Sequence, residues 1–519
     1  MKKMITASLV AAMALTNANA ISNSQLAAKL NSLESELADV KAKLNKQNKK
    51  INKVKAHDSN DNIKWGVDLR TGIDNINYDL ADGSSASNSN LMSMRLWLNM
   101  AYAPDTHNVF KGQLSMNKAF GADFGDMSSN RAFGMGSMFD WTGNEALGDN
   151  SLRVRQAYWL YLGDKFLGAD IPWTFSVGRR PSTGGFLANL RNDDAAQSPL
   201  GHIINVEFDG LSSKLDLSNI TGVPGMSFKV CMGRGSTNAT PMFADATPYA
   251  ENDGISDIDL AGFIFEPFND GQFIVKTTWF KAFDLPGMDM NPDGTPTDFK
   301  QFGDMTGAAI SVMVDGLTDE GYLSDAKIFA SFAWSETDPD AGSAMLGSAE
   351  SESGTSYWLG AQVPVTDSGK FGLEFNHGSQ YWRPFTYAED TMIGSKLAAR
   401  GDALEAYFTY QLTDALSAQI RYTKIDYDYT GSNGFFGNYS GNAMKIDDIK
   451  AGAEGYNQLV GMVGTSDPAA LVGAMVAGGM APDAATAGQM VKGMGMAAAM
   501  APNIVEAAQD FRFYLRYRF

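Results

Sequence analysis

The chain has few of the residues that build disulfides and metal sites. Among its 519 residues are 1 cysteine, Cys231, and 4 scattered histidines, which excludes an intrachain disulfide and leaves no metal-ligand spacing. Beyond the N-terminus, no uncharged apolar run reaches the ~18 residues that a membrane-spanning helix needs. The motifs G-x-S-x-G, H-E-x-x-H and C-x-x-C-H are also absent. We therefore predict no enzymatic activity, no catalytic residues, no metal and no cofactor.

Basic residues are outnumbered by acidic ones. The formal net charge of −18 predicts that nucleic acid is not a partner. The 53 glycines and the 11% of aromatic residues are instead typical of a protein made of strands and turns.

The N-terminus has the three parts of a secretory signal. Residues 1–20 read MKKMITASLVAAMALTNANA, with Lys2 and Lys3 ahead of a short apolar run and Ala18-Asn19-Ala20 at its end. This order of charge, apolar run and small-residue cleavage site predicts a signal peptide. The mature chain would begin at Ile21, outside the cytoplasm.

Residues 21–57 show a heptad pattern. The a positions are Leu30, Leu37, Leu44 and Ile51, and the d positions are Leu26, Leu33, Val40, Gln47 and Val54. This narrow seam predicts a coiled-coil stalk that joins copies of the chain; the alternative is one amphipathic helix docked on its own barrel. Lysines crowd its second half, where they either meet lipid head groups or cell wall, or are simply solvated.

Residues 58–519 form the second predicted module, in which the apolar period changes to two from Asn62 onward. In NIKWGVDLRTGID, LMSMRLWLNMAYA and the final FRFYLRYRF, apolar residues alternate with polar or charged ones. There are 16 such segments, near 63–74, 91–102, 109–118, 151–162, 173–180, 203–217, 226–234, 256–266, 271–282, 305–315, 322–334, 356–364, 370–381, 403–412, 416–428 and 510–519. This pattern predicts an all-β transmembrane barrel of about 16 antiparallel strands, lipid outside and water inside.

Long and short connections alternate along these segments, beginning with a long link after 63–74. An even number of strands places both barrel ends on the side of the short turns, which is the periplasmic side in bacterial outer membranes. The coiled coil would then lie in the periplasm. One connection is unusual, because residues 429–509 form an Ala-, Gly- and Met-rich helical insertion before the last strand. It is either a lid or plug, or a surface decoration.

Strand parity identifies candidate pore-lining residues. The basic ones are Arg70, Arg95, Arg153, Arg155, Arg180, Arg421, Arg512 and Arg516, and the acidic ones are Glu207, Glu374 and Glu405. We expect a basic wall facing an acidic wall, which would set ion selectivity; alternatively, the arginines pair with loop carboxylates and brace the barrel. The segment 181–203 is the candidate constriction loop, with Asp193 and Asp194 facing the arginines; the alternative is an ordinary outer loop.

Several segments carry a family resemblance. SLRVRQAYWLYLG with WTFSVGRRPSTGGF resembles general bacterial porins, and FGLEFNHGSQYW, SKLAARGDALEAYF and IDYDYTGS resemble an uncharacterised porin-like outer-membrane family of epsilon-class proteobacteria. The resemblance implies a Gram-negative outer-membrane homotrimer, in contact with lipid and lipopolysaccharide, through which small hydrophilic solutes and ions diffuse passively. Two alternatives stay open: a tether acting through the coiled coil, and a substrate-specific channel gated by residues 429–509. The transported solute, the ion selectivity and the number of subunits also stay open.

Overall fold

The computed structural model describes most of the chain after the predicted stalk. The described residues are 63–122, 147–148, 150–180, 182–240, 242, 247–251, 256–288, 300–318, 320–386, 391–437 and 441–519. The chain divides into two units, Met1–Asn62 and Ile63–Phe519. The predicted signal peptide and coiled coil both fall in the first unit and lie outside the described residues.

The second unit is a closed barrel of antiparallel strands. Its strands are β1 (Lys64–Leu80), β2 (Ser85–Tyr102), β3 (Asn108–Ala119), β4 (Arg153–Gly163), β5 (Trp173–Arg180), β6 (Phe208–Asp216), β7 (Ser227–Ser236), β8 (Ile258–Asn269), β9 (Phe273–Gly287), β10 (Lys300–Asp315), β11 (Lys327–Pro339), β12 (Ser353–Thr366), β13 (Gly369–Gly378), β14 (Gly401–Gln411), β15 (Leu416–Tyr427) and β16 (Val505–Arg518). Each strand pairs with its neighbours in sequence, and β1 pairs with both β2 and β16. The predicted barrel of 16 antiparallel strands is confirmed.

Strand β16 shows why the barrel closes. Phe511, Phe513 and Leu515 are 38–52% exposed on the outer surface, whereas Arg512 and Arg516 are nearly fully buried on the inner one. Strand β16 pairs with β1 on one side and β15 on the other, so neither edge is left open. The terminal carbonyl of Phe519 accepts a 3.0 Å hydrogen bond from the Val67 amide, which extends this pairing to the last residue.

The connections differ in two places from the sequence-based prediction. The link after β1 is the short turn 81–84, not a long loop, because the polar segment SASNSN continues β2 and Asp79 pairs with Ser85. Strand β6 begins at Phe208 rather than at residue 203. The preceding residues enter the barrel, where Ile204–Asn205 pairs in parallel with Phe385–Thr386.

Part of the barrel interior is apolar, whereas the sequence predicts a water-filled lumen. Three connections fold inward: 182–207, the described parts of 379–400, and the described parts of 428–445. Their apolar side chains pack on inward-facing residues of β8 to β11. The buried cluster includes Ile203, Val206, Trp382, Phe385, Phe435 and Phe436 from the connections, and Leu260, Phe280, Met305 and Ala333 from the strands. Burying this surface stabilises the inward position of all three connections.

From Ile446 onward, the insertion before β16 contains three helices: α1 (Ile446–Val463), α2 (Pro468–Ala477) and α3 (Ala484–Met500). Asp467 and Asp483 cap α2 and α3 by accepting backbone hydrogen bonds of 3.1 and 2.8 Å. The helices pack on one another, and Ile446 and Ile449 also pack on Ala81 in the turn 81–84. The bundle therefore lies at the barrel end opposite the C-terminus. In the described segments no single helix is long and apolar enough to cross a membrane; α1 and α2 together pass by length and composition, with an 88° bend between them.

Candidate functional site

Residues 182–207, which we call the inner loop, cross the barrel interior. Gly184, near the start of the loop, has a φ of +64°, a left-handed conformation that favours glycine. At Gly185, an added Cβ would lie 2.4 Å from the Pro199 carbonyl oxygen, so the two legs of the loop meet where only glycine fits. The Gly184 amide also donates a 2.9 Å hydrogen bond to Asn205 Oδ1. These contacts close the loop into a compact unit.

The tip of the inner loop is attached to the opposite wall. Arg191 Nη1 donates hydrogen bonds of 3.2 and 3.0 Å to the two carboxylate oxygens of Glu405 on β14, and both side chains are buried. Gln362 of β12 donates to the Leu190 carbonyl at 2.9 Å, and Gln419 of β15 donates to the Arg191 carbonyl at 2.8 Å. The loop therefore spans the lumen from β5 and β6 to β12, β14 and β15.

Asp193 and Asp194 lie just beyond this tip. Asp194 Oδ1 accepts hydrogen bonds from Arg516 Nη2 at 2.7 Å and from Arg518 Nη1 at 3.0 Å. Asp193 Oδ1 accepts a 2.8 Å hydrogen bond from Lys370 on β13. Both carboxylates thus face basic residues of the barrel wall, Asp194 those of β16 and its end and Asp193 that of β13.

The arginines of β1, β2 and β16 are paired with aspartates on the same wall. Arg516 Nε lies 2.9 Å from Asp68 Oδ1, Arg95 lies 3.5 Å from the same carboxylate, and Arg512 pairs with Asp74. The expected separation into a basic and an acidic wall is therefore wrong. The physical reason is that a buried charge is costly unless an opposite charge neutralises it nearby. Arg70, which is also buried, lies over the Tyr514 ring with its guanidinium carbon 5.0 Å from the ring centroid.

Arg155 of β4 connects the barrel wall to both ends of the inner loop. Its Nε lies 2.9 Å from Glu207 Oε1, its Nη1 donates to Gln113 Oε1 at 3.0 Å, and its Nη2 donates to Thr183. The guanidinium carbon also stands 4.4 Å from the Trp97 ring centroid, with that of Arg95 3.4 Å from the same centroid. Cation–π attraction to one indole thus orders both arginines.

The structure adds Arg179 to the predicted set. It lies within 3.6 Å of Glu207 and 3.0 Å of Asp209, although strand parity does not select it. The preceding Gly178 has a φ of +126°, which breaks the regular alternation, and this glycine was the available signal. Arg180 lies over the Tyr158 ring, 4.5 Å from its centroid, and Arg153 is half-buried at the first position of β4.

Glu374 and Glu405 belong to a buried cluster of charges. Lys396, from the connection between β13 and β14, lies 2.6 Å from Glu374 and 2.5 Å from Glu405. Arg421 lies 3.9 Å from Glu405, which also accepts the bonds from Arg191. Glu405 therefore holds two inward connections against the wall, through Arg191 and Lys396, and Glu374 holds one of them, through Lys396.

His202 is fully buried in the barrel interior. Its ring nitrogens lie 2.8 Å from Ser331 Oγ and 2.9 Å from Ser356 Oγ, and its ring packs edge-on against Trp358. Complete burial lowers the pKa of His202 from 6.5 to about 3, and the Asn376 side chain opposes this shift. The imidazole is therefore neutral at physiological pH and fixes the base of the inner loop to β11 and β12.

A polar cavity of about 240 Å³ lies between the inner loop and strands β1 to β4. We call it the lumen slot. Its 18 lining residues include eight carboxamides: Asn99, Gln113, Asn117, Gln156, Asn189, Asn192, Gln197 and Asn205. Its charged lining residues are Asp68, Asp194, Arg95, Arg155 and Arg191. In the parts of the chain that the structure describes, no group of three or more His, Cys, Asp or Glu could hold a metal ion.

A family model matches most of the chain. A family model described as "Protein of unknown function (DUF3373)" matches residues 85–466, from the start of β2 into α1. The chain belongs to this family. No curated protein matches the chain.

Solved structures similar to the chain are outer-membrane proteins. They include OprB of Pseudomonas putida (11% identity, 88% of this chain and 94% of that chain, TM-score 0.44) and OmpF of Salmonella typhi (12%, 89% and 99%, 0.41). A trimer form of OmpT of Vibrio cholerae is 13% identical over 88% of this chain and 99% of that chain, with a TM-score of 0.41. The predicted resemblance to an uncharacterised porin-like family is confirmed. The assignment of a closed barrel here rests on the strand pairing itself.

Proposed function

We propose that the protein is an outer-membrane porin through which small hydrophilic solutes diffuse passively via the lumen slot. The observation that carries this proposal is the position of the slot, which lies inside a closed barrel and beside a loop fixed across the interior. The outer face of the barrel is apolar, with Phe332, Leu359 and Ile420 exposed to the surroundings. Such a surface is stable in lipid, and a closed barrel satisfies its backbone there.

The same proposal gives the orientation and the assembly. Because the number of strands is even, we propose that both barrel ends lie at the periplasmic side and that the helices α1 to α3 lie at the cell exterior. We propose a homotrimer, joined in part by a coiled coil formed by residues 21–57. The protein needs no cofactor for this role, and we assign it no catalytic residues.

Planar-bilayer recording of the purified full-length protein tests the function. We expect stepwise currents that persist without any added substrate, because diffusion through a fixed slot needs no energy source. A protein that inserts in bilayers, as judged by heat-modifiable migration on gels, but carries no current would contradict the proposal.

A further inference from the structure

The lumen slot has paired charges and an excess of amide groups. Five charged side chains line it: Arg95, Arg155 and Arg191 against Asp68 and Asp194. Each of them lies within 3.5 Å of an oppositely charged side chain, with Arg95 at Asp68, Arg155 at Glu207, Arg191 at Glu405 and Arg516 at Asp194. Every charge of the lining is therefore paired.

These pairs leave little net field for a passing ion. Opposite charges a few ångströms apart act on a distant ion as dipoles, and salt in the aqueous lumen screens what remains. An ion entering the slot would also lose part of its hydration, without an unpaired opposite charge to replace it. The slot is therefore poorly suited to concentrate either sign of ion.

The carboxamides offer a different kind of contact. Within the described residues, the side chains of Gln156 and Gln197 have no hydrogen-bond partner, and both line the slot. They come from opposite sides of the cavity, β4 and the inner loop. Each carboxamide is both a donor and an acceptor, so it can bond a hydroxyl group in either direction.

We propose that the lumen slot selects small uncharged polyhydroxylated solutes, such as polyols and sugars, over ions of similar size. This inference rests on the proposed channel function and adds the substrate class. A hydroxylated solute exchanges its bonds with water for bonds with the carboxamides, whereas a charged analogue loses hydration without an unpaired counter-charge. The helical insertion is not required for this selection, because none of α1 to α3 lines the slot.

Liposome swelling and bilayer recording test this inference together. With the full-length protein, we expect glucose to enter faster than gluconate or glucosamine, and a zero-current potential near zero in a potassium chloride gradient. Gln156→Leu and Gln197→Leu should each slow glucose entry by about two- to tenfold, the factor for one lost hydrogen bond, with little change in salt conductance. Gln509→Leu, on the outer face of the barrel, is the matched control and should change neither.

The outcomes separate the two proposals. Salt conductance with a strong preference for one ion sign, or gluconate entry faster than glucose entry, would overturn the selection while leaving the channel intact. Glucose entry unaffected by both glutamine variants would also overturn it. Absence of both conductance and swelling in correctly inserted protein would overturn the channel function itself. A second variant, Gln156→Glu, keeps the side-chain size but adds one unpaired negative charge; it should shift the ion preference of the slot towards cations, and an unchanged ion preference would contradict the proposal.

Discussion

The attachment of the inner loop to the far wall can be tested by comparing a buried ion pair with an exposed one. The Arg191–Glu405 pair is at most 3% exposed, whereas the Lys370–Asp193 pair is 39% and 45% exposed. Both pairs join the same loop to the same side of the barrel, at 3.0 and 2.8 Å. Arg191→Met and Lys370→Met each remove a cation and keep an unbranched side chain.

The two substitutions should reduce the free energy of loop attachment by different amounts, because only one of the two ion pairs is shielded from water. Removing one partner of a buried pair costs about 3–5 kcal/mol, since the other charge stays buried. Lys396 still lies 2.5 Å from Glu405, so we expect the lower end, about 3 kcal/mol, for Arg191→Met. An exposed pair contributes about 0.2–1 kcal/mol, which sets the limit for Lys370→Met.

Single-channel recording measures the consequence. A loss of about 3 kcal/mol raises the population of the detached loop tip by roughly a hundredfold. We therefore expect Arg191→Met to show larger conductance or frequent open-channel fluctuations, and Lys370→Met to resemble the parent. Quiet, parent-like currents from Arg191→Met would refute the reasoning, because the pair would then not hold the loop. Heat-modifiable gel migration checks that both variants still form barrels.

Three further predictions concern His202, Asp68 and the proposed stalk. Lowering the pH from about 6.5 towards 3 should loosen the inner loop and increase current fluctuations, because His202 can bind a proton when the loop is detached but not when it is docked. The free energy that favours the docked loop should fall by up to about 1.4 kcal/mol per pH unit, and His202→Gln should remove much of this pH dependence. Asp68→Asn should shift the zero-current potential towards anions and lower the heat-modification midpoint, since it leaves Arg95 and Arg516 buried beside a neutral group; an unshifted potential would place Asp68 away from the ion path. Deleting residues 21–57 should reduce the oligomer seen by analytical ultracentrifugation in detergent while the barrel stays folded; an unchanged oligomer would argue against the stalk.

The alternation of inward and outward side chains can be recognised within each strand separately, and for this reason the barrel could be predicted from the sequence. In FRFYLRYRF each side chain takes the inner or outer face by its parity, whatever the rest of the chain does. An even strand number and short turns at one end followed from the same count. The polar strand ends near residues 75–90 escaped prediction, because their pairing rather than their composition makes them strands.

The sequence by itself determined the barrel, its strand number and the inward position of most charged residues. The tertiary structure alone decided which charges meet. Asp68 and Arg516 are 448 residues apart and become partners only when β1 closes on β16. It also decided that part of the lumen is filled, because apolar inward residues such as Phe280 and Met305 acquire their partners from connections distant in the chain. Parity assigns a side chain to a face, but what that face contacts depends on the three-dimensional path of the loops.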